Sequence, residues 1–217
     1  MNDEHHSEGE SSKAEQFWER SYQEYERGWS GTANAVLAGV AGSLPPGTAL
    51  DLGCGEGGDA IWLAGRGWHV TAVDVSATAL DRASRRAATA GVVDRCDFQR
   101  HDLTHTFPAG AFDLISALYL HSPVEFPRDR VLKAAAQAVA PGGVLLVVDH
   151  ASVAPWSWNR DPHTRFPTPD ETLSTLDLTP GQWRTERLDA PERLASGPNG
   201  ETATVTDNVI AVRRLTS

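Results

Sequence analysis

Two hydrophobic rhythms run along the chain. Residues 14–29 carry Phe17, Trp18, Tyr22 and Tyr25 at three- and four-residue steps, the period of an amphipathic helix. A second helix is expected over 34–43, stopped by Pro45-Pro46-Gly47. From residue 48 onward, short apolar runs take turns with helical stretches. Strands are expected at 49–52, 70–75, 96–101, 112–118 and 144–149, and helices at 58–65, 76–90 and 129–140. Ser76 is placed to cap one of these helices and Gly91 to end it. Pro141-Gly142-Gly143 is expected to stop the helix before the last apolar strand. That strand, Val144-Leu-Leu-Val-Val148, has no polar face, as in a strand covered on both sides.

This strand–helix repetition predicts an α/β fold, a doubly wound and mostly parallel sheet with helices on both faces. After His150 the rhythm weakens. Residues 151–170 read as a long loop or lid, and 182–188 and 208–215 as a closing antiparallel pair. The expected organisation is a disordered polar tail over 1–12 and one domain over 13–217. Within that domain, 13–46 form a helical arm, 48–150 the core, and 151–217 the lid loop and last strands.

Charge and cysteines narrow the function. Nineteen Lys and Arg face 29 Asp and Glu, a formal charge of −10. A chain of that sign lacks the net basic face that sequence-independent binding to nucleic acid requires. No apolar run approaches the roughly 20 residues of a spanning helix, and the acidic start lacks the features of a signal peptide. Cys54 and Cys96 cannot build a disulfide framework, which fits a reducing, cytoplasmic setting. The expected partner is a small molecule, with neither nucleic acid nor membrane. The oligomeric state is not legible.

The chemistry concentrates in Asp51-Leu-Gly-Cys-Gly-Glu-Gly-Gly58, between a strand and a helix. Gly53, Gly55 and Gly58 satisfy G-x-G-x-x-G, a weak signal alone, which permits close approach of backbone to a ligand. Asp74 ends the next strand, about 20 residues on, where a carboxylate can hold ribose hydroxyls. Asp102 follows the third strand. All three acids therefore sit at carboxyl ends of parallel strands, where such sheets bind ligands. A dinucleotide would lay its pyrophosphate over this turn. Asp51 and Glu56 would oppose that anion and suit a ligand with an ammonium group.

The segment ALDLGCGEGGDAIWLAGRGWHVTAVDVS resembles the first two motifs of class I S-adenosylmethionine-dependent methyltransferases, and FDLISALYLH and PGGVLLVVDH resemble their strand-four and strand-five motifs. The resemblance spans about 48–150 and implies a Rossmann-like, seven-stranded sheet with S-adenosylmethionine as cofactor. It implies that Asp51, Gly53, Cys54 and Gly55 line the methionine end and that Asp74 takes the ribose. Val75, Asp102 and Leu103 would flank the adenine, and Ala117 would lie under the methyl. The stretch FWERSYQEYERGWSGTANAVL is similar to the N-terminal arm of the tellurite-resistance and thiopurine-type branch. Trp29 matches a tryptophan of that arm and would cover the cofactor. Ser21 stands where the arm usually has arginine, so no role of that arginine carries over.

His121, after the fourth strand, is a candidate general base; the alternative is a loop histidine bonded to the lid. Tyr119, His150, Tyr22 and Arg165 are candidates for contacting substrate, each with packing or a surface position as the alternative. Trp156, Trp158, His163 and Phe166 share the long loop with Arg165. His101 and His105 are four apart, but a strand ends between them, so no metal is expected. Arg82, Arg85 and Arg86 read as a solvated helix face. The rivals of a methyltransferase are an NAD-dependent oxidoreductase and a methyltransferase-like domain that binds without catalysis.

Overall fold

The computed structural model describes residues 12–24, 32–157, 161, 163–197 and 199–216. Helix α1 (Lys13–Glu24) and helix α2 (Ala35–Ala41) precede the sheet. They are followed by β1 (Thr48–Leu52), α3 (Gly58–Ala64), β2 (His69–Asp74), α4 (Ala77–Thr89), β3 (Cys96–Arg100), β4 (Phe112–Leu118), α5 (Arg128–Gln137) and β5 (Val139–His150). The remainder is α6 (Pro169–Thr175), β6 (Trp183–Asp189), β7 (Glu192–Ser196) and β8 (Thr202–Arg214). The strand order is β3-β2-β1-β4-β5-β8-β6, with β7 paired to the outer half of β8. Strands β1 to β5 run parallel; β8 runs antiparallel to both β5 and β6.

The period-2 alternation of the strands divides the core into two layers. Leu50, Leu52, Val73, Ile115, Ala117, Leu145 and Val147 pack under Val131, Leu132, Ala135 and Ala136 of α5. Ala49, Ala72, Leu114, Val144, Leu146 and Val148 pack under α2 and α3, with Trp68 fully enclosed. Both faces are therefore covered, which is why the central strands lack a polar face. Helices α3 and α5, which follow the adjacent strands β1 and β4, lie on opposite sides. The strand order thus reverses between β1 and β4, the switch point beside which such sheets bind ligands. Across that point Asp51 pairs with Ser116, and Leu52 with Ala117.

Local chemistry fixes the helix starts. The Asn34 side chain accepts from Val36 N (2.8 Å) and Leu37 N (3.3 Å), and Ser76 Oγ accepts from Ala79 N (3.1 Å). One boundary differs from the expectation: α5 ends at Gln137, and Pro141-Gly142-Gly143 lie inside β5. There the pairing with β4 slips between Phe112 and Leu114. A Cβ on Gly143 would stand 2.9 Å from the carbonyls of Ala140 and Phe112, so the glycine accommodates this irregularity instead of ending a helix. Helix α6 and strand β7 add to the elements expected from the sequence. The α6 signal is present as Thr168-Pro-Asp-Glu171, and the structure makes a reciprocal capping box of it. Strand β7 is mostly exposed and carries no alternation to read. Helix α6 takes up the end of the expected loop, and described residues before it are fastened to β8 by Asn208 Nδ2 donating to Pro167 O (2.6 Å) and Thr206 N donating to Ser152 Oγ (2.7 Å). No described helix is long and apolar enough to cross a membrane.

Candidate functional site

The turn after β1 folds back on β2: the amides of Gly53 and Cys54 both donate to Val73 O at 2.9 Å. Gly53 and Gly55 have φ of +71° and +54°, values that side chains rarely adopt. Space excludes a side chain as well. A Cβ on Gly53 would stand 2.8 Å from Leu120 Cδ1, and one on Gly55 2.8 Å from the Tyr22 hydroxyl. The bare turn is thus held between the loop after β4 and the arm helix α1.

Three carboxylates surround it. Asp51 is buried; its Oδ1 accepts from Ser116 Oγ at 2.8 Å, and its Oδ2 has no hydrogen-bond partner. Burial, with Asp59 and Asp74 nearby, pushes its carboxyl up to about 8. Asp74 is buried too and ties the turn to the end of β2: Gly55 N donates to Oδ2 and Ser76 N to Oδ1, both at 2.9 Å. Each of its oxygens keeps a second lone pair. Asp59, absent from the sequence expectations, accepts from Asn34 N at 2.6 Å, and burial raises its carboxyl as well. Its only sequence signal was an acid in the first turn of the helix that opens from the glycines. The Cys54 thiol is pushed well up by burial and by Asp74 and Asp51, so it stays protonated.

Glu56 corrects the charge argument drawn from sequence. Its buried carboxylate is turned away from the turn toward α4, 2.9 Å from Arg82 Nη1 and 2.5 Å from Arg86 Nη2. These arginines are therefore not a merely solvated face, and Glu56 no longer opposes an anion over the turn. The acidic groups left beside the turn are Asp51, Asp59 and Asp74.

The arm helix is fastened over the start of α4. Glu19 Oε2 accepts from Ser76 Oγ (2.7 Å) and from Thr78 N (3.2 Å). Burial pushes the Glu19 carboxyl upward, but bonds from Thr78 and Ser76 outweigh it and hold it at about 2. Tyr22, expected to meet substrate, instead brings its hydroxyl against Gly55, on the cofactor side. Trp29 lies outside the described residues, as do Tyr25 and Trp158. Asp102 turns its carboxylate onto its own loop, accepting from Thr104 N at 2.9 Å and Thr104 Oγ1 at 2.6 Å. Val75 and Leu103 are half-buried beside the ends of β2 and β3, and Ala117 is fully enclosed in the layer beneath α5. His101 lies between Thr106 Oγ1 and Gln99 Oε1, and His105 faces Asp102, so the two rings do not converge.

Beyond Leu120 lies a second cluster, at the ends of β4 and β5. His121 Nε2 lies 3.3 Å from Asp149 Oδ1, and Asp149 is buried beneath it. Arg128 reaches both oxygens of Asp149 at 2.5 and 2.6 Å and donates to Leu120 O at 3.0 Å. His150 Nδ1 faces buried Asp207 Oδ1 at 3.8 Å. Asp207 also accepts from the Tyr119 hydroxyl (2.7 Å) and Arg193 Nε (2.5 Å). Burial raises the Asp207 carboxyl, but contacts with His150, Arg193 and Tyr119 outweigh it and bring it to about 2. The Tyr119 ring stacks on His150 at 4.4 Å between centroids, and His150 on His121 at 5.9 Å. Tyr119 has φ +53°, a backbone strain of about 1–3 kcal/mol in a non-glycine residue. Its amide bond to Val148 O (2.7 Å) and its bond to Asp207 hold it there. The structure therefore gathers Tyr119, His121 and His150, and adds Asp149, Asp207, Arg128 and Arg193. Arg165 is not brought in: it is largely exposed and paired with Glu171.

Residues 49–143 match the family model described as a methyltransferase domain. A probable thiol methyltransferase 2 from Arabidopsis thaliana is 36% identical over 101 residues, 45% of this chain and 45% of that protein. A ribosomal RNA small subunit methyltransferase C from Alcanivorax borkumensis is 29% identical over 130 residues, 58% of this chain and 39% of the relative. The match thus spans less than half the length of either relative. Among solved structures, the one reported for conversion of a disulfide bond into a thioacetal group during echinomycin biosynthesis aligns with a TM-score of 0.69 and 26% identity, covering 92% of each chain. The glycine turn at the β1–β4 switch point, its carboxylates and these matches agree: residues 49–143 match a methyltransferase domain, and the fold is the one that the resemblance to class I S-adenosylmethionine-dependent methyltransferases implies.

Proposed function

We propose that this chain, as one domain, transfers a methyl group from S-adenosylmethionine to a small molecule. The observation that carries the reading is Asp51: a buried carboxylate oxygen without a partner, at a turn whose glycines leave room for a ligand. An unpaired buried carboxylate is costly, and an ammonium group placed there would complete it. The residues present therefore fit the amino-acid end of the cofactor. Asp51, Gly53, Cys54 and Gly55 would line that end, with Tyr22 over the turn. Asp74 would accept from the ribose through its remaining lone pairs. Val75, Asp102 and Leu103 would flank the adenine, and Ala117 would form the floor.

When bound, the cofactor supplies a methyl on a positive sulfur, already reactive toward a nucleophile. The protein's share is orientation, exclusion of water and handling of the proton. His121, whose Nε2 lies 3.3 Å from Asp149, is the group placed to take a proton from an acceptor beside Leu120. The acidic balance of the chain and the thiol methyltransferase relative support a small acceptor; the ribosomal RNA relative makes nucleic acid the alternative to test. With methyl-labelled cofactor, label is expected in small acceptors and not in RNA. Label in RNA would reverse the substrate class. A cytoplasmic setting is part of the same proposal.

A further inference from the structure

The cluster at the ends of β4 and β5 holds more than one base needs. His121 is backed by Asp149, and Asp149 by Arg128. His150 is backed by Asp207, and Asp207 by Arg193 from the β7–β8 hairpin. Each buried carboxylate is costly to install, and one stands beside each ring. The core does not require these residues, since the apolar layers close beneath them. Both imidazoles remain open to solvent at their outer edges, with side chains 37% and 45% exposed. The Tyr119, His150 and His121 rings lie within about 20° of parallel to their neighbours (22° and 19°), which makes a column of flat faces. Tyr119 cannot itself serve as base, because burial and Asp207 push its phenol well above the ordinary value.

We infer that His150, which stands beside Asp207 and stacks on Tyr119, is a second imidazole facing the acceptor, and that the acceptor is a flat, ring-bearing molecule whose attacking atom carries a proton, a hydroxyl in the first place. This rests on the methyltransferase reading above. A thiolate, a halide or a chalcogen oxyanion arrives already ionised and has no use for a paired imidazole. A neutral hydroxyl does. As its oxygen bonds to the methyl carbon, the carbon–sulfur bond breaks with its electron pair left on sulfur. The O–H proton goes to His121, and nothing is oxidised or reduced. His150 supplies a second hydrogen-bonding edge for a neighbouring polar group of the ring. The charged groups facing the pair are Asp149, Arg128, Asp207 and Arg193, with the Tyr119 hydroxyl.

The test uses the full chain labelled with ¹⁵N-histidine and saturated with S-adenosylhomocysteine, titrated with catechol, 4-nitrophenol and thiophenol while the imidazole resonances are followed. The same three probes serve as acceptors in a methyl-transfer assay. An O–H probe is expected to move both His121 and His150 signals and to accept methyl. His121→Gln should slow that turnover by about 10²-fold or more. His150→Gln should slow it by about 10-fold, and Asp207→Asn should move the His150 resonances. Affinity for S-adenosylhomocysteine should stay within about 2-fold in all three variants. His150 signals unmoved by both O–H probes would overturn the inference, as would turnover of thiophenol that neither histidine substitution slows. Failure of S-adenosylhomocysteine to bind would instead remove the methyltransferase reading, and this inference with it.

Discussion

Asp51 makes cofactor binding a proton-linked event, and the size of the effect follows from the structure. Its carboxyl is buried beside Asp59 and Asp74 and is pushed up to about 8. At pH 7 about nine in ten empty molecules therefore hold Asp51 protonated, and at pH 9 about one in ten. An ammonium group set against Oδ2 favours the carboxylate and expels that proton. Binding of S-adenosylhomocysteine should release about 0.9 proton through Asp51 at pH 7 and about 0.1 at pH 9. The affinity should rise about tenfold per pH unit below 8 and level off above it. Calorimetry in buffers of different ionisation enthalpy reads the proton count directly. Asp51→Asn keeps an acceptor for Ser116 and removes the titration, so the Asp51 part of the linkage should vanish and ligand protons alone remain. The same shift bears on the empty protein. Because the folded value lies above the ordinary 3.8, folding is favoured below about pH 4 and progressively opposed as pH rises toward 8. Asp51→Asn should therefore melt at a higher temperature than the native chain at pH 8, with the gap closing by pH 4. Equal proton release by both proteins would refute the reasoning.

Two other perturbations test the surroundings of the site. Glu19 is held at about 2 by its bonds to the α4 N-terminus. Its contribution is present above about pH 4.5 and is lost as pH falls toward 2; partial exposure limits it to about 1 kcal/mol. Melting curves of Glu19→Gln should lie below the native curves at pH 6 and converge with them near pH 2; a constant gap would contradict the assignment. Arg128→Met removes the guanidinium from the buried Asp149 carboxylate and leaves only the His121 ring facing it, at a cost of about 3–5 kcal/mol in denaturant unfolding. Adding Asp149→Asn should recover more than half of that; a single-variant loss below about 1 kcal/mol would mean that the pair is solvated.

The parallel core was legible because its physics is local. β1, β2, β4 and the 144–148 part of β5 are short, mostly apolar runs bounded by glycines, prolines or helix caps, and Ser76 caps α4 as its residue type suggests. The glycine turn and Asp51 were found for the same reason. What escaped depends on distance in sequence. Nothing near Glu56 shows that it will turn to Arg82 and Arg86, since that choice is made only when α4 packs beside the turn. The hairpin of β7 and β8 was missed because β7 is solvated, yet it brings Arg193 to Tyr119 and Asp207. His121 and His150 were visible as histidines at strand ends. Their carboxylates were not, because Asp149 reads as the polar end of an apolar strand and Asp207 comes from the antiparallel strand β8. Asp102 shows the converse: its place after β3 was legible, while its commitment to Thr104 was not.

The central claim is that the turn between β1 and α3 receives the amino-acid end of a methyl donor and not a pyrophosphate. Calorimetric titration of the purified chain with S-adenosylhomocysteine, and in parallel with NAD, tests it most directly. Saturable binding of S-adenosylhomocysteine, with no heat from NAD, is the predicted result. Binding of NAD alone, or of neither ligand, would contradict it.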